Sequence, residues 1–398
     1  MKYAVLWALC IAHLLNDTFQ SVIPAVFPLL KENLALSFFT VGLISTVFQL
    51  SSSVFQPLVG WYTDKHPQPY ALPCGMSSTL AGIILLAYAG NFSLVLIAVT
   101  FIGFGSAILH PEASRLAYMA SGGRLGFAQS IFQVGGNTGS ALGPLLAFAV
   151  IFVYGHGKQE SIVWFGLLAA AAVIWMVPLS RWHAKQLVRS KERTEKDKTK
   201  ETGDTATAAV SVPVLGTIIV LLTLIFSKNL YTVSLSNFLT FYLIEKYRVS
   251  VPHSQLFLFA FLFAVAAGTL VGGPIGDRYG RRRVIWFSIL GAAPFTLLMP
   301  YIDSLWGTCV LSMCAGAVMA SSFPAIIIYA QELVPGKIGT IGGLFFGFSF
   351  GAGAIASALL GVLADWRSIE FVYEVCAYLP LIGLITWFLP QVKSGSCR

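Results

Sequence analysis

The sequence predicts an all-α membrane protein with twelve transmembrane helices in two six-helix halves. Of its 398 residues, 56% are hydrophobic and only 11% are charged. The mean hydropathy of +0.77 indicates a polytopic membrane protein rather than a soluble domain. Twelve apolar stretches are long enough to cross about 30 Å of hydrocarbon, and one charged stretch divides them evenly.

Short polar breaks separate these apolar stretches. The predicted spans of the first half are residues 4–30, 38–62, 70–90, 93–120, 124–154 and 161–181. Those of the second half are residues 213–244, 254–276, 284–301, 305–331, 338–364 and 369–389. The first stretch is too long for a cleavable signal peptide and lacks a small-residue cleavage site, so we expect it to remain as the first span.

One long hydrophilic stretch, residues 182–212, contains KERTEKDKTKETGD and predicts a flexible charged linker. It separates an N-terminal six-helix domain, 1–181, from a C-terminal six-helix domain, 213–398. If both termini are cytoplasmic, 18 of the 25 Lys and Arg residues lie on the cytoplasmic side, as the positive-inside rule requires. The net charge of +8 therefore reflects membrane topology, and we expect no nucleic-acid partner.

The two halves share one sequence register. GWYTD at 60–64 matches GPIGD at 273–277, a shift of 213 residues. The same shift relates Pro111 to Pro324, Asn16 to Asn229, and GRLG at 123–126 to GKIG at 336–339. Several matches in a single register indicate an internal duplication.

Two six-span halves related by a parallel repeat are typical of the major facilitator superfamily. GPIGDRYGRRR at 273–283 resembles that superfamily's conserved turn between spans 8 and 9, whereas GWYTDKHPQPY at 60–70 lacks the later Gly and the basic cluster. The resemblance implies that Asp64 and Asp277 each cap a neighbouring helix. It also implies that Arg residues pair with them to gate the cytoplasmic side, and the second half offers Arg278, Arg281 and Arg282.

A narrower resemblance covers nearly the whole chain. AHLLNDTFQSVIPAVFPLLK, HPEASRLAYMASGGRLG and AQSIFQVGGNTGSALGPLLA resemble the fosmidomycin resistance branch of bacterial exporters. This implies a monomeric secondary transporter of the bacterial inner membrane that exports a small anionic or amphipathic organic compound, such as fosmidomycin, by alternating access. Its energy source would be the proton gradient, with no cofactor.

A narrow polar stripe crosses the first span. His13, Asn16, Asp17 and Gln20 stand at i, i+3, i+4 and i+7 and therefore share one helix face. A charged carboxylate at the bilayer centre costs at least about 2.5 kcal/mol, so Asp17 should face the bundle interior or a water-filled cavity. We interpret Asp17 as a proton-coupling residue and the other three as substrate-binding candidates. A merely structural interior role is the alternative.

Span 4 carries three ionisable residues within ILHPEASR. Glu112 and Arg115 are three residues apart and can form an ion pair, whereas His110 and Glu112 point about 160° apart on a helix. Arg115 needs an anion nearby, and Glu112, Asp17 or the substrate could supply it. Glu112 and Arg115 are therefore proton-coupling candidates or a static ion pair, and His110 is a substrate-binding candidate.

Spans 5 and 7 add polar side chains at helical spacing. Gln133 and Asn137, with Gln129, could bind substrate or hydrogen-bond a neighbouring helix. GSALGP at 139–144 resembles the core of an antiporter motif, but small residues four apart also serve close helix packing. In span 7 the substrate-binding candidates are Lys228, Asn229, Thr232 and Ser236. Lys228 either contacts an organic anion or pairs with Asp17 at rest.

Two other functions compete with proton-coupled export. An importer or uniporter of a small metabolite is the main alternative. An integral-membrane enzyme using His110 and Glu112 is disfavoured, because the repeat and the gate motif would have no role in it. The sequence contains no GxxxxGK[ST] loop for ATP, and no residue spacing predicts a metal site.

Overall fold

The computed structural model describes residues 1–36, 38–198 and 214–390, and these residues form helices and connecting turns without a β-strand. The α-helices are α1 (Tyr3–Ala25), α2 (Phe27–Asn33), α3 (Phe38–Lys65), α4 (Ala71–Ala87), α5 (Phe92–Ala120), α6 (Leu125–Ala147), α7 (Val163–Lys198), α8 (Val214–Tyr247), α9 (Val251–Tyr279), α10 (Arg281–Leu290), α11 (Ala293–Leu298), α12 (Leu305–Ala320), α13 (Ser322–Leu333), α14 (Ile338–Trp366) and α15 (Ile369–Ala377).

These helices build twelve spans in the predicted order. Within the described residues, nine continuous helical stretches are long and apolar enough to cross a membrane, and α4 is a shorter apolar helix. Helices α1 and α3, of 23 and 28 residues, also have the length of a span.

Several spans are broken rather than straight. Span 10 divides at Ser321 into α12 and α13, and span 9 divides into α10 and α11, whose first turn contains Pro294. Span 12 continues from α15 as the 3₁₀ helix Leu379–Phe388. Proline is tolerated in a first helical turn, where its missing N–H costs no hydrogen bond, so Pro294 and Pro380 suit the starts of their segments.

Helix α7 continues into the range predicted as linker. It ends at Lys198 instead of near residue 181, because the sequence from Ala184 onward is rich in Lys, Arg, Glu and Gln, which are strong helix formers. The rest of that prediction, residues 199–212, lies outside the described residues. His183 is placed on this extension, with a buried side chain.

The two halves are packed together at one end of the bundle. There α3 and α9 end, while α14 and α6 begin, near basic residues that include Lys65, Arg124, Arg281 and Lys337. We call this the basic end. A Cβ added to Gly60 would lie 2.0 Å from the carbonyl oxygen of Gly339, and one added to Gly273 would lie 2.0 Å from that of Gly126. Only glycine permits these backbone contacts, and the four residues are related by the predicted duplication.

The Gly60–Gly339 contact leads to a testable prediction. We expect Gly60→Ala to destabilise the closed arrangement of the basic end, because the added methyl group meets backbone and not a flexible side chain. The measurement uses spin labels at His66 and Pro335, two exposed positions near this contact, in a protein with Cys74 and Cys397 replaced by serine. The distance between the two labels should increase in Gly60→Ala. Gly42→Ala on the same helix is the matched control, since nothing lies within 4 Å of its added Cβ. Equal distances in both variants would contradict the prediction.

Candidate functional site

Asp17 lies at the centre of a buried polar cluster where α1 and α5 meet. The side-chain amides of Asn16 and Gln20 each donate to Asp17 Oδ1 at 2.9 Å. The Nε2 atom of His13 lies 3.3 Å from Oδ2, and that of His110 lies 3.6 Å from Oδ1. We call these five residues the Asp17 cluster. It unites the whole predicted stripe of span 1 with His110 of span 4.

The Nδ1 atoms of both histidines are hydrogen-bonded to backbone carbonyl groups. His13 Nδ1 donates to the Phe132 carbonyl at 2.8 Å, and His110 Nδ1 donates to the Ser106 carbonyl at 2.9 Å. A neutral imidazole carries one N–H, so each Nε2 would then be an acceptor facing a carboxylate. Two acceptors facing each other repel, and a proton between them converts the repulsion into a charge-assisted hydrogen bond. The three side chains therefore place two ring nitrogens and one carboxylate where a shared hydrogen could bond them.

An aromatic wall from the second half covers the Asp17 cluster. The His110 ring lies 5.0 Å from the rings of both Phe346 and Phe350 on α14. Phe346 in turn lies 5.4 Å from Phe323 on α13. This wall extends the cluster from the first half to the second, so the cluster lies at the interface of the two halves.

Lys228 lies at the far side of the same aromatic wall. Its Nζ is 4.7 Å from the centre of the Phe323 ring, in a cation–π contact, and the residue is only 9% exposed. No carboxylate of the described residues lies within 4.0 Å of it, so in this state it does not pair with Asp17. A buried ammonium beside apolar rings is a favourable position for an anion.

The remaining amide and hydroxyl candidates mostly bind neighbouring helices. Asn137 donates to Thr269 Oγ1 on α9 at 3.1 Å, and Asn229 donates to Ser349 Oγ on α14 at 2.6 Å. Thr232 donates to the carbonyl of Lys228 at 2.9 Å. Gln133 and Ser236 are candidates that the structure leaves free to face a ligand: Gln133 is 9% exposed with an unpartnered Oε1, and Ser236 is half-buried.

Small residues of GSALGP serve close helix packing. Cβ atoms added to Gly139 and Gly143 would lie 2.1 Å from the Leu14 carbonyl oxygen and 2.5 Å from Ser21 Cβ. These glycines bring α6 against α1 and thereby hold the Asp17 cluster in position. This packing accounts for the small residues of GSALGP and does not add support for an antiporter motif.

Arg115 joins two carboxylates at the basic end. Its Nη2 atom lies 2.7 Å from Asp64 Oδ1, and its Nη1 atom lies 2.9 Å from Glu112 Oε2. Arg115 also donates to the carbonyl and hydroxyl oxygens of Thr63, at 2.9 and 2.8 Å. With His183, these residues form what we call the Arg115 network. The predicted ion pair with Glu112 is present, whereas Asp17 is not a partner.

Asp64 caps a helix of the opposite half. The N–H groups of Gly339 and Thr340 donate to its two carboxylate oxygens at 2.9 and 2.6 Å, and the Thr340 hydroxyl donates at 2.6 Å. A carboxylate at a helix N-terminus is stabilised by the helix dipole and by otherwise unpaired N–H groups. Opening of the basic end would break these bonds.

Asp277 makes the equivalent cap in the second half. It accepts from the N–H groups of Gly126 and Phe127 at 2.8 and 2.9 Å, across to α6. Arg281 lies 3.4 Å from Asp277 and 3.1 Å from Glu332. It therefore joins two carboxylates, as Arg115 does in the first half. Arg278 and Arg282 do not pair with Asp277: Arg278 lies over the Tyr279 ring, and Arg282 donates to the Trp387 carbonyl.

The turn after Asp64 differs from the turn after Asp277 in both backbone and side chains. Gly280, with φ +93, lets α10 begin two residues after α9 ends. The first half has Pro67 at the equivalent position, whose ring excludes positive φ. Helix α4 accordingly begins only at Ala71. Gln68 stands where the second half has Arg281, so this turn offers no equivalent cation, and Arg115 of α5 contacts Asp64 instead.

Sequence reasoning missed His183. It allowed that a few phenylalanines of LFFGFSF, 344–350, form an apolar wall, but it did not predict which of them contact His110. His183 Nδ1 lies 3.3 Å from Glu112 Oε1, but its sequence neighbours are charged, which favoured a linker. Phe346 and Phe350 belong to a Phe-rich stretch, and nothing in the sequence indicates which of its rings contacts His110. The ligand atoms of His13, Asp17 and His110 lie within 4.8 Å of one another, a proximity suited also to a metal ion and invisible in the sequence spacing.

Comparison with known proteins places the chain in a family. The family model described as Major Facilitator Superfamily matches residues 9–251 and 229–396. The fosmidomycin resistance protein of Escherichia coli (strain K12) is 52% identical over 98% of this chain and 93% of its own length. The uncharacterized MFS-type transporter YfnC of Bacillus subtilis (strain 168) is 43% identical over the same shares of the two chains.

Solved structures share the fold. The E. coli fucose:proton symporter FucP aligns over 98% of this chain and 100% of its own, with a TM-score of 0.74 at 15% identity. The human organic anion transporter MFSD10 aligns over 98% of this chain and 99% of its own, with a TM-score of 0.75 at 15% identity. The predicted fold class is thereby confirmed. The protein is a multi-pass membrane transporter, not an enzyme, and it belongs to the Major Facilitator Superfamily.

Proposed function

We propose that the protein exports a small organic anion, such as the phosphonate fosmidomycin, from the bacterial cytoplasm in exchange for protons. The observation that carries this proposal is the geometry of the Asp17 cluster. Both histidines present Nε2 to one carboxylate while their Nδ1 atoms are bound to carbonyls. The cluster can therefore bind a proton between a ring nitrogen and the carboxylate. Coupling to a proton gradient requires that this proton bind on one side of the membrane and leave on the other in every cycle.

The substrate class follows from Lys228 and from the similar proteins. Lys228 is a buried cation without a described carboxylate partner, beside the Phe323 ring. An anionic group of the substrate would satisfy it, and the aromatic wall would contact the apolar part. The name of the E. coli relative, fosmidomycin resistance protein, supports fosmidomycin as the first compound to test.

The proposed cycle assigns each state of the transporter to one side of the membrane. With both termini and the basic end in the cytoplasm, as the positive-inside rule favours, the described state is closed toward the cytoplasm by the Asp64 and Asp277 caps. The Asp17 cluster then exchanges protons with the outside in this state. Release of the caps would turn the site toward the cytoplasm, where the proton leaves and substrate binds.

Inside-out membrane vesicles with an acidic lumen test the proposal. Addition of fosmidomycin should release protons from the lumen, followed with a pH-sensitive dye, and labelled drug should accumulate inside. Vesicles without the protein are the control. Drug accumulation that ignores a collapsed pH gradient would favour a uniporter, and accumulation only in right-side-out vesicles would favour an importer. Either result would overturn proton-coupled export.

Treatment with a metal chelator tests whether the Asp17 cluster binds a proton or a metal ion. We expect drug-driven proton release to be unchanged after treatment of both vesicle faces with a permeant chelator, because the proposed cycle needs no ion there. Re-addition of zinc after the treatment is the control. Loss of activity with the chelator and its recovery with zinc would assign the cluster to metal binding instead.

A further inference from the structure

A second buried ionisable pair lies in the Arg115 network, on the face of α5 opposite His110. Glu112 and His183 are 0% and 1% exposed, and Glu112 Oε1 lies 3.3 Å from His183 Nδ1. Glu112 Oε1 and both ring nitrogens of His183 make no hydrogen bond to the described residues. Three unpaired polar atoms in one buried place are exceptional and indicate a missing proton or a partner.

The charges around this pair do not balance. The ionisable groups that face Glu112 are Arg115 on its own helix, Asp64 on α3 and His183 on α7. Arg115 is one permanent cation, yet it binds both carboxylates, at 2.7 and 2.9 Å. If both carboxylates are ionised and His183 is neutral, the network carries one net negative charge. Such a charge is costly to bury.

Asp64 has more hydrogen-bond donors than Glu112. It accepts three hydrogen bonds from Gly339 and Thr340 in addition to its contact with Arg115. Arg115 donates to the Oε2 atom of Glu112, whereas its Oε1 atom has no donor among the described residues. An added proton is therefore better placed on Glu112 than on Asp64.

We propose that Glu112 binds a proton while the basic end is closed, and that His183 Nδ1 accepts the hydrogen bond of the protonated carboxyl group. This single proton neutralises the network and gives partners to Oε1 and Nδ1 together. The Nε2–H of His183 lacks an acceptor in either arrangement. If His183 carried the added proton, this N–H would also hold part of a full positive charge, which is costlier to bury. The pair is a second proton-binding site, separate from the Asp17 cluster.

Protonation of Glu112 controls how Arg115 is shared. While Glu112 is neutral, the charge of Arg115 is balanced by Asp64 alone, and this ion pair stabilises the cap on α14. Once Glu112 loses its proton, its carboxylate competes with Asp64 for the same guanidinium and weakens the closed state. This inference concerns the gate, and only the link between gate and substrate movement rests on the proposed function.

Infrared spectroscopy of the purified full-length protein tests the site without any substrate. The pH-difference spectrum of wild type should contain the C=O band of a buried carboxylic acid. We expect Glu112→Gln to lose this band, Asp17→Asn to keep it and His183→Asn to shift its frequency. Glu245→Gln removes an exposed carboxyl group and is the matched control. A band that survives in Glu112→Gln, or that does not move in His183→Asn, would overturn the proposal.

Label distances give the second measurement. With the labels at His66 and Pro335, raising the pH should shift wild type toward longer distances across the basic end. Glu112→Gln should stay at the short distance at every pH, because its amide cannot become a competing carboxylate. A Glu112→Gln variant that opens with pH as wild type does would contradict the role of Glu112 in the gate. Neither readout depends on fosmidomycin or on proton-coupled export, so failure here leaves the proposed function intact.

Discussion

Asp17→Asn should reduce fosmidomycin-driven proton release to the level of vesicles without the protein. The substitution keeps the size of the side chain. Its amide oxygen can still accept from Asn16 and Gln20, and its NH₂ group can donate to the Nε2 atom of His13. The variant therefore preserves the hydrogen bonds of the cluster while it removes the group that exchanges a proton. Proton release and binding of labelled drug should be measured on the same preparation.

The matched control is Asp303→Asn, which changes a carboxylate whose side chain is 99% exposed. It should release protons as wild type does. Retained drug binding in Asp17→Asn, together with lost proton release, would separate a coupling defect from misfolding. Wild-type proton release in Asp17→Asn would instead make Asp17 a structural residue and would leave Glu112 as the carboxylate of the cycle.

Helical periodicity predicted four of the five residues of the Asp17 cluster but not the fifth, His110. His13, Asn16, Asp17 and Gln20 share a face of a single helix, so their spacing was sufficient. The position of His110 next to this face depends on how α5 packs against α1. Helix crossing is a property of packing between distant segments, and no local pattern encodes it.

The same limit applies at the basic end. The duplication predicted that Asp64 and Asp277 play equivalent parts, and both cap a helix of the opposite half. It did not predict that different helices supply the arginine, α5 for Asp64 and α10 for Asp277. The loss of a basic cluster from one repeat was visible in the sequence, whereas its replacement by Arg115 required the distance in three dimensions.

Helix α5 separates the two proposed proton sites by helical geometry. His110 and Glu112 are two residues apart and face opposite sides, as the sequence predicted. One side reaches the Asp17 cluster, and the other reaches Arg115 and the cap on α14. Movement of this helix during the cycle would act on both sites together, which gives a physical link between the proton at the centre of the bundle and the closure of its basic end.

Lys228→Met should weaken fosmidomycin binding by about 10- to 100-fold, since hydrogen bonds to charged groups contribute about 1.5–3 kcal/mol. Methionine fills a similar volume against Phe323 and leaves the aromatic wall packed. Binding to purified protein should be measured by calorimetry. The matched control is Lys246→Met on the same helix, because Lys246 donates to the Pro300 carbonyl at 2.8 Å and lies outside the site.

A neutral phosphonate ester of the drug completes the test of Lys228. If the ammonium binds the anionic group, the substitution should weaken binding of the acid but leave binding of the ester nearly unchanged, and the difference measures their coupling. Equal losses for acid and ester would show that Lys228 acts through packing. The anion would then need another cation, and Arg115 is already bound to Asp64 and Glu112, so an organic anion would cease to be the favoured substrate class.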